Sequence, residues 1–250
     1  MNHKLRISTM TQIGELNSPI ELDKLYEHLE ISNLIHYISY GSEKCKGEMI
    51  RKIKNPRKNK IKKHFYNQIT LHIYFNKIIN LKIFNNGRIQ MTGLKNESQG
   101  INTIKIVTDA INQLPDFKKE SIFKTDQLIC PWTKTVLINS DFDMGYKIDR
   151  EALHRLIIEA GYFSSFESCI YPGVNIKYYY NELLQNKGIC KCESMCNGKG
   201  HDGECKKITI AVFNSGKIII TGGCSYHHIE VAYGFISNFI NDNEEILKME

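Results

Sequence analysis

The chain of 250 residues contains no run of 18 apolar residues, so it offers no helix able to span a bilayer. Its start, Met1-Asn2-His3-Lys4, runs into an alternating strand pattern and not into a secretory signal, which predicts an intracellular, unsecreted protein without a membrane partner. The common catalytic signatures are missing. There is no Gly-rich phosphate loop with its Lys, no Gly-x-Ser-x-Gly and no His-Glu-x-x-His. Asp141 and Asp143 stand two apart on a predicted strand, but no ligand set accompanies them. An enzyme is therefore not expected. Tryptophan is nearly absent too: Trp132 is the only one, beside Cys130-Pro131, and reads as a packing anchor.

What is present supports a folded, basic protein. With 42% hydrophobic and 24% charged residues the chain can bury a full core. A formal charge of +6 suits an anionic partner without proving one. Lys44 to Lys63 holds ten Lys or Arg in twenty residues, broken by Gly47 and Pro56; it reads as a solvated loop or as a phosphate-contacting arm. Four of the eight cysteines crowd into Cys190-x-Cys192-x3-Cys196 and Cys205, amid Gly188, Gly198, Gly200 and Gly203. So short a stretch has little core to fold around, and a zinc ion bound by Cys190, Cys192, Cys196 and Cys205 would supply the cross-link. Disulfides or free thiols are the alternatives, and His201 reads either as a substitute ligand for one cysteine or as a solvated loop residue. Cys45, Cys130, Cys169 and Cys224 are read as buried or incidental.

The strongest pattern is internal. Phe84-Asn85-Asn86-Gly87-Arg88-Ile89-Gln90-Met91-Thr92-Gly93 returns 129 residues later as Phe213-Asn214-Ser215-Gly216-Lys217-Ile218-Ile219-Ile220-Thr221-Gly222, with six of ten positions identical. Each copy predicts a β-hairpin whose Asn-x-Gly turn reaches positive φ, followed by a helix. One repetition of so long a unit means a two-fold pseudo-symmetric protein. Because side chains alternate along a strand, Leu81, Ile83, Ile89 and Met91 share the core face of the first copy, and Ile210, Val212, Ile218 and Ile220 that of the second. The opposite face carries Lys82, Phe84, Arg88, Gln90 and Thr92, then Ala211, Phe213, Lys217, Ile219 and Thr221. A Phe at the same solvent-side spot in both copies points to a binding face; a rim residue folded under a loop is the plainer reading.

These residues resemble the TATA-box-binding protein (TBP) family, whose motif Phe-x-x-Gly-Lys-hydrophobic-x-x-Thr-Gly occurs once per repeat, and most closely the divergent TBP-like forms of giant DNA viruses. The resemblance covers both repeats, from about Leu5 to Asn241. It implies an α+β fold: a saddle of two βαββββα repeats forming one curved antiparallel sheet, with helices on the convex face. The first repeat is placed at 1–115 with its basic insertion at about 44–63, the linker at 116–132, and the second repeat at 133–242 with its Cys-rich insertion at about 186–206. The implied activity is that of a general transcription initiation factor: binding and bending A·T-rich double-stranded DNA through the minor groove, and recruiting general transcription factors or RNA polymerase subunits. The implied location is a host nucleus or a cytoplasmic viral factory.

The resemblance also assigns roles. Phe84 and Phe213 would wedge between base steps, Thr92 and Thr221 would touch base edges, and Arg88, Lys217 and Lys177 would hold phosphates. Tyr171, in Tyr171-Pro172-Gly173-Val174, stands where the family has Phe, and Phe65 or Tyr66 falls near the other wedge position. Lys82, Gln90 and Ile219 complete the DNA face; Lys82 and Gln90 occupy places usually filled by small apolar residues. The family reads the centre of its site with an Asn on the first strand of each repeat, but those positions align near Leu5 and Leu137, within a residue or two. A fold that kept its helical upper face for protein interaction while losing DNA binding is the competing expectation.

In local terms, Leu5–Gln12 is predicted as the first strand, with Ser18 capping a helix that has Pro19 at its first position. Phe65–Tyr74 is preferred over Met49–Pro56 as the strand after the basic segment. Ile101–Leu114 predicts the first repeat's long helix. In the second repeat a strand around Thr133–Phe142 precedes a helix from Asp149.

Overall fold

A computed structural model describes residues 4–48, 65–183, 187–201 and 203–249. They form two compact units, Met10–Thr135 and, separately, Met1–Thr9 with Val136–Glu250.

In the Met10–Thr135 unit the elements are β1 (Arg6–Glu15, of which Arg6–Thr9 belong to the other unit), α1 (Leu22–His28), β2 (Ile35–Tyr40), β3 (Lys44–Gly47), β4 (Gln68–Tyr74), β5 (Ile78–Phe84), β6 (Arg88–Leu94), α2 (Glu97–Asn112) and α3 (Asp116–Ile122). The sheet order is β3-β2-β4-β5-β6-β1, with each neighbouring pair antiparallel. Alternation set the faces as expected: Leu81, Ile83, Ile89 and Met91 are all buried. The first three line one small internal cavity together with Ile104, Val107 and Ile111 of α2, so this helix covers the apolar face.

Several local expectations change here. α1 begins at Leu22, and Ser18 does not cap it; its buried hydroxyl instead accepts from the Lys124 amide at 3.1 Å and donates to the Pro19 carbonyl. α2 starts at Glu97 because the Asn96 side chain accepts from the Gln99 amide, and it ends before Pro115. The expected linker contains α3. Of the basic segment, Lys44–Gly47 forms the edge strand β3; residues 49–64, including most of the alternative strand Met49–Pro56, lie outside the described residues.

The other unit holds β7 (Trp132–Asp143, its own part from Val136), β8 (Lys147–Ile148), α4 (Arg150–Glu159), β9 (Phe163–Glu167), β10 (Tyr171–Tyr180), β11 (Lys206–Phe213), β12 (Lys217–Gly223), α5 (Tyr226–Asp242), α6 (Glu244–Leu247) and β13 (Lys248–Met249). Its main sheet runs β7-β12-β11-β10-β9, again antiparallel. The helix expected from Asp149 begins at Arg150, with Asp149 as its cap, accepting from the Glu151 and Ala152 amides at 3.0 Å. Ile210, Val212, Ile218 and Ile220 are fully buried. α5 lies over that face, with Tyr233 edge-on to Phe142 at 4.8 Å and Phe235 beside Tyr178 at 5.0 Å. Setting aside β3, β8, β13 and the short helices α3 and α6, each unit thus repeats strand, helix, four strands, helix, with its long helix on the apolar side of the sheet.

The two turns are built alike. Gly87 and Gly216 both have φ +84°, and a Cβ on either would lie 2.6 Å from the Ser18 carbonyl oxygen or 2.1 Å from that of Tyr146. Positive φ and backbone crowding both require glycine there.

Candidate nucleic-acid interface and cysteine cluster

The sheet faces turned away from the long helices carry the residues of interest. On the Met10–Thr135 unit, Arg88 is exposed, while Lys82, Phe84, Gln90 and Thr92 are half-buried. Phe84, Arg88 and Gln90 line one hollow with Ile13, Glu15 and Trp132. Trp132 is 44% exposed and so is no buried anchor; it belongs to this face, which the sequence reading missed. Phe65 precedes β4 instead of lying in it, is 61% exposed, and sits in the loop that joins Phe84's strand neighbourhood through the Asn85 amide to the Asn67 carbonyl.

The equivalent face of the second unit differs. Lys217 is exposed, Ile219 is 38% exposed, and Phe213 is half-buried with Tyr171 edge-on at 5.8 Å. Gly173 lies opposite Phe213; a Cβ there would come within 3.2 Å of the ring, so the glycine keeps room for the aromatic pair. Ala211, placed on the open face by alternation, is only 6% exposed, because its small side chain sits between Asn175 and Ile219 on the flanking strands. Lys177 donates to the Thr209 hydroxyl at 3.0 Å, and partial burial, with Lys207 nearby, holds its ammonium pKa below the ordinary lysine value. An anion beside it would reverse that shift.

Cross-strand register makes the two faces comparable residue by residue. Thr92, Gln90 and Arg88 lie opposite Thr11, Ile13 and Glu15; Thr221, Ile219 and Lys217 lie opposite Asn139, Asp141 and Asp143. Both cations therefore have a carboxylate across the strand, which sequence spacing alone did not reveal. Asp141 is held by Arg6, with Nη2 to Oδ2 at 2.7 Å, an exposed pair worth at most about 1 kcal/mol. The Thr221 hydroxyl donates to the Asn139 side-chain oxygen, which leaves the Asn139 amide as a donor on the open face. Asn139 is two residues from Leu137, on the same side of the strand, so period two was the signal that would have found it.

The cysteine cluster is the second constellation. β10 and β11 pair from Gly173 opposite Phe213 to Tyr180 opposite Lys206, so the insertion grows from the end of this hairpin remote from Tyr171 and Phe213. The Tyr179 amide donates to the Gly188 carbonyl at 2.9 Å and the Lys207 amide to Gly198 at 2.8 Å, tying both ends of the loop to the strands. The Sγ atoms of Cys190, Cys192, Cys196 and Cys205 all lie within 4.8 Å of one another, a set able to hold a metal ion. His201 is exposed and stands outside that group. Burial pushes the Cys205 thiol up to about 12, and hydrogen bonds with Cys192 and Cys190 add to it; a thiolate there needs a cation beside it. Cys45 and Cys169 are exposed, not buried.

No family model matches the sequence. The architecture is the TBP fold: a TBP from Methanococcus jannaschii superposes with a TM-score of 0.54, covering 97% of this chain and 99% of that one at 16% identity. The α+β class expected from the sequence is thereby the observed one. In sequence the chain is similar to a TATA-box-binding protein-like protein of Acanthamoeba polyphaga mimivirus, at 28% identity over 96% of this chain. It spans 66% of that relative's length. The fold is thus shared with a TBP, and the sequence is similar to a TBP-like viral protein. Among the described residues no helix is long and apolar enough to cross a membrane.

Proposed function

We propose that the chain is a non-enzymatic DNA-binding transcription initiation factor of a virus, which bends A·T-rich promoter DNA through the minor groove and carries a structural zinc ion. The observation that carries this reading is the twofold recurrence, on sheet faces free of the long helices, of one aromatic, one cation and one threonine in matching register. Phe84 and Phe213, with Tyr171 and Phe65 beside their strands, supply the wedges; unstacking a base step costs a few kcal/mol and is offset by contact along the widened groove. Thr92, Thr221, Gln90, Ile219 and Lys82 meet base edges, while Arg88, Lys217 and Lys177 take phosphates. The helical side is left to general transcription factors or polymerase subunits, in a host nucleus or a viral factory. The name of the mimivirus relative supports this reading.

A second reading, a TBP-fold protein-interaction module, is favoured by Glu15, Asp141 and Asp143, whose charge on the open faces opposes phosphate. Selection from random duplexes, followed by titration at several salt concentrations, decides between them. The DNA reading expects recovery of A·T-rich, flexible steps, and Lys217→Ala should weaken binding on every sequence and reduce the salt slope by about one. If no duplex is enriched and no salt-dependent shift occurs, the module reading replaces it.

A further inference from the structure

The geometry points to one zinc ion bound by the Sγ atoms of Cys190, Cys192, Cys196 and Cys205 in a closed tetrahedral site, which folds residues 187–205 as a unit of its own. Distance carries the argument. Zinc–thiolate bonds of about 2.3 Å in a tetrahedron place the sulfurs about 3.8 Å apart. Here Cys205 is 3.8 Å from Cys190 and 3.5 Å from Cys192. A disulfide, with sulfurs at about 2.0 Å, satisfies one partner of Cys205 and leaves the other unused. A central cation serves all four.

The surroundings agree with a structural ion. Four protein thiolates fill the coordination sphere and leave no position for water or substrate. Four thiolates around Zn2+ leave two negative charges; Lys191 and Lys199 fall between the ligands and Lys206 and Lys207 follow the last, against Glu193, Asp202 and Glu204 in the same stretch. Among the described residues of 187–205, those buried are Gly188, Gly198 and Cys205, while Met195 is 97% exposed. No apolar core holds this loop. Gly198 (φ +71°) packs against Lys207, where a Cβ would fall 2.6 Å from the lysine's own Cβ, so the loop is tailored to lie on β11. The metal and those few backbone bonds are what fold it.

The inference rests on the structural zinc of the proposed function and not on its DNA binding, so its test does not use DNA. Full-length protein purified under reducing conditions should carry one zinc per chain by elemental analysis. Cobalt exchanged into that site should give the intense visible bands of a tetrahedral thiolate complex. C192S/C196S should lose the ion, whereas a variant with serine at positions 45, 130, 169 and 224 should keep it. After chelation, limited proteolysis should cut first within 187–205 and leave the rest of the chain resistant. Absence of stoichiometric metal, iron in place of zinc, or zinc retained by C192S/C196S overturns the assignment. Collapse of the whole chain on chelation overturns the independence of the loop, and the cobalt spectrum of the unmutated protein keeps the ligand set testable if the variants fail to fold.

Discussion

The β5–β6 and β11–β12 hairpins share a turn, a buried face and a register, yet they present different chemistry outward. Their core positions differ only among Leu, Ile, Val and Met, since any of these fills the space beneath the helix. Their open positions have diverged in polarity: Lys82 and Gln90 with Ile13 on one, Ala211 and Ile219 with Asp141 on the other. The aromatic differs in support as well. Phe213 has Tyr171 against it, whereas among the described residues Phe84 has no such ring partner. Packing constrains one side of a repeated sheet, and the other side is free to specialise.

The largest expected effect tests the aromatic difference. A wedge already held by a neighbouring ring loses less freedom on insertion than one that must be ordered by DNA. Phe213→Ala should therefore shorten the bound lifetime by roughly tenfold or more, from about 1–3 kcal/mol of lost base stacking. Phe84→Ala should cost less. Both should reduce bending, read as end-to-end energy transfer, with little change in salt slope. Equal losses would remove the asymmetry, and unchanged bending would remove the wedge.

A smaller effect tests base readout. The minor-groove edge of G·C adds the guanine amino donor to the acceptors shared by all pairs. The Gln90 amide can accept from that donor; Ile219 and Ala211 leave it unpaired. A G·C pair moved under the second unit's face should cost about 1–3 kcal/mol, and one under the first unit's face should be better tolerated. Gln90→Leu should make the two alike. A base-substitution scan of the selected duplex that finds both halves equally intolerant breaks this part of the comparison.

The smallest effect concerns the carboxylates. Asp141→Asn removes a negative charge from the open face and frees Arg6 for phosphate. Affinity should rise a few-fold, and thermal stability should change little, since an exposed pair contributes about 0–1 kcal/mol. Glu15→Gln should act in the same direction in the other unit. Unchanged affinity in both would mean that these carboxylates do not face the DNA.

Much of this was legible before the structure, for specific reasons. The faces of Leu81 to Thr92 and Ile210 to Thr221 followed from period two because each strand has one dry side. The start of α4 was legible to within one residue: the helix expected from Asp149 begins at Arg150, with Asp149 as its cap. Ser18 misled: it has the cap composition, but its hydroxyl is taken by the Lys124 amide, a partner 106 residues away. Trp132 misled in the opposite sense. Tryptophan is usually packed, and here the chain returns it beside Phe84 on an open face.

The sequence by itself determined the two-repeat plan, the buried face of each hairpin and the four cysteines of the loop, because alternation, turn chemistry and ligand type are local properties. Only the tertiary structure decided what stands across from each open-face residue. That Arg88 meets Glu15, Lys217 meets Asp143 and Phe213 meets Tyr171 depends on strand register and ring packing between segments from about 40 to 75 residues apart. The closeness of Cys205 to Cys190 and Cys192 likewise waits on the fold. Fifteen and thirteen residues of chain separate them, and the backbone bonds of Gly188 and Gly198 to β10 and β11 bring them together.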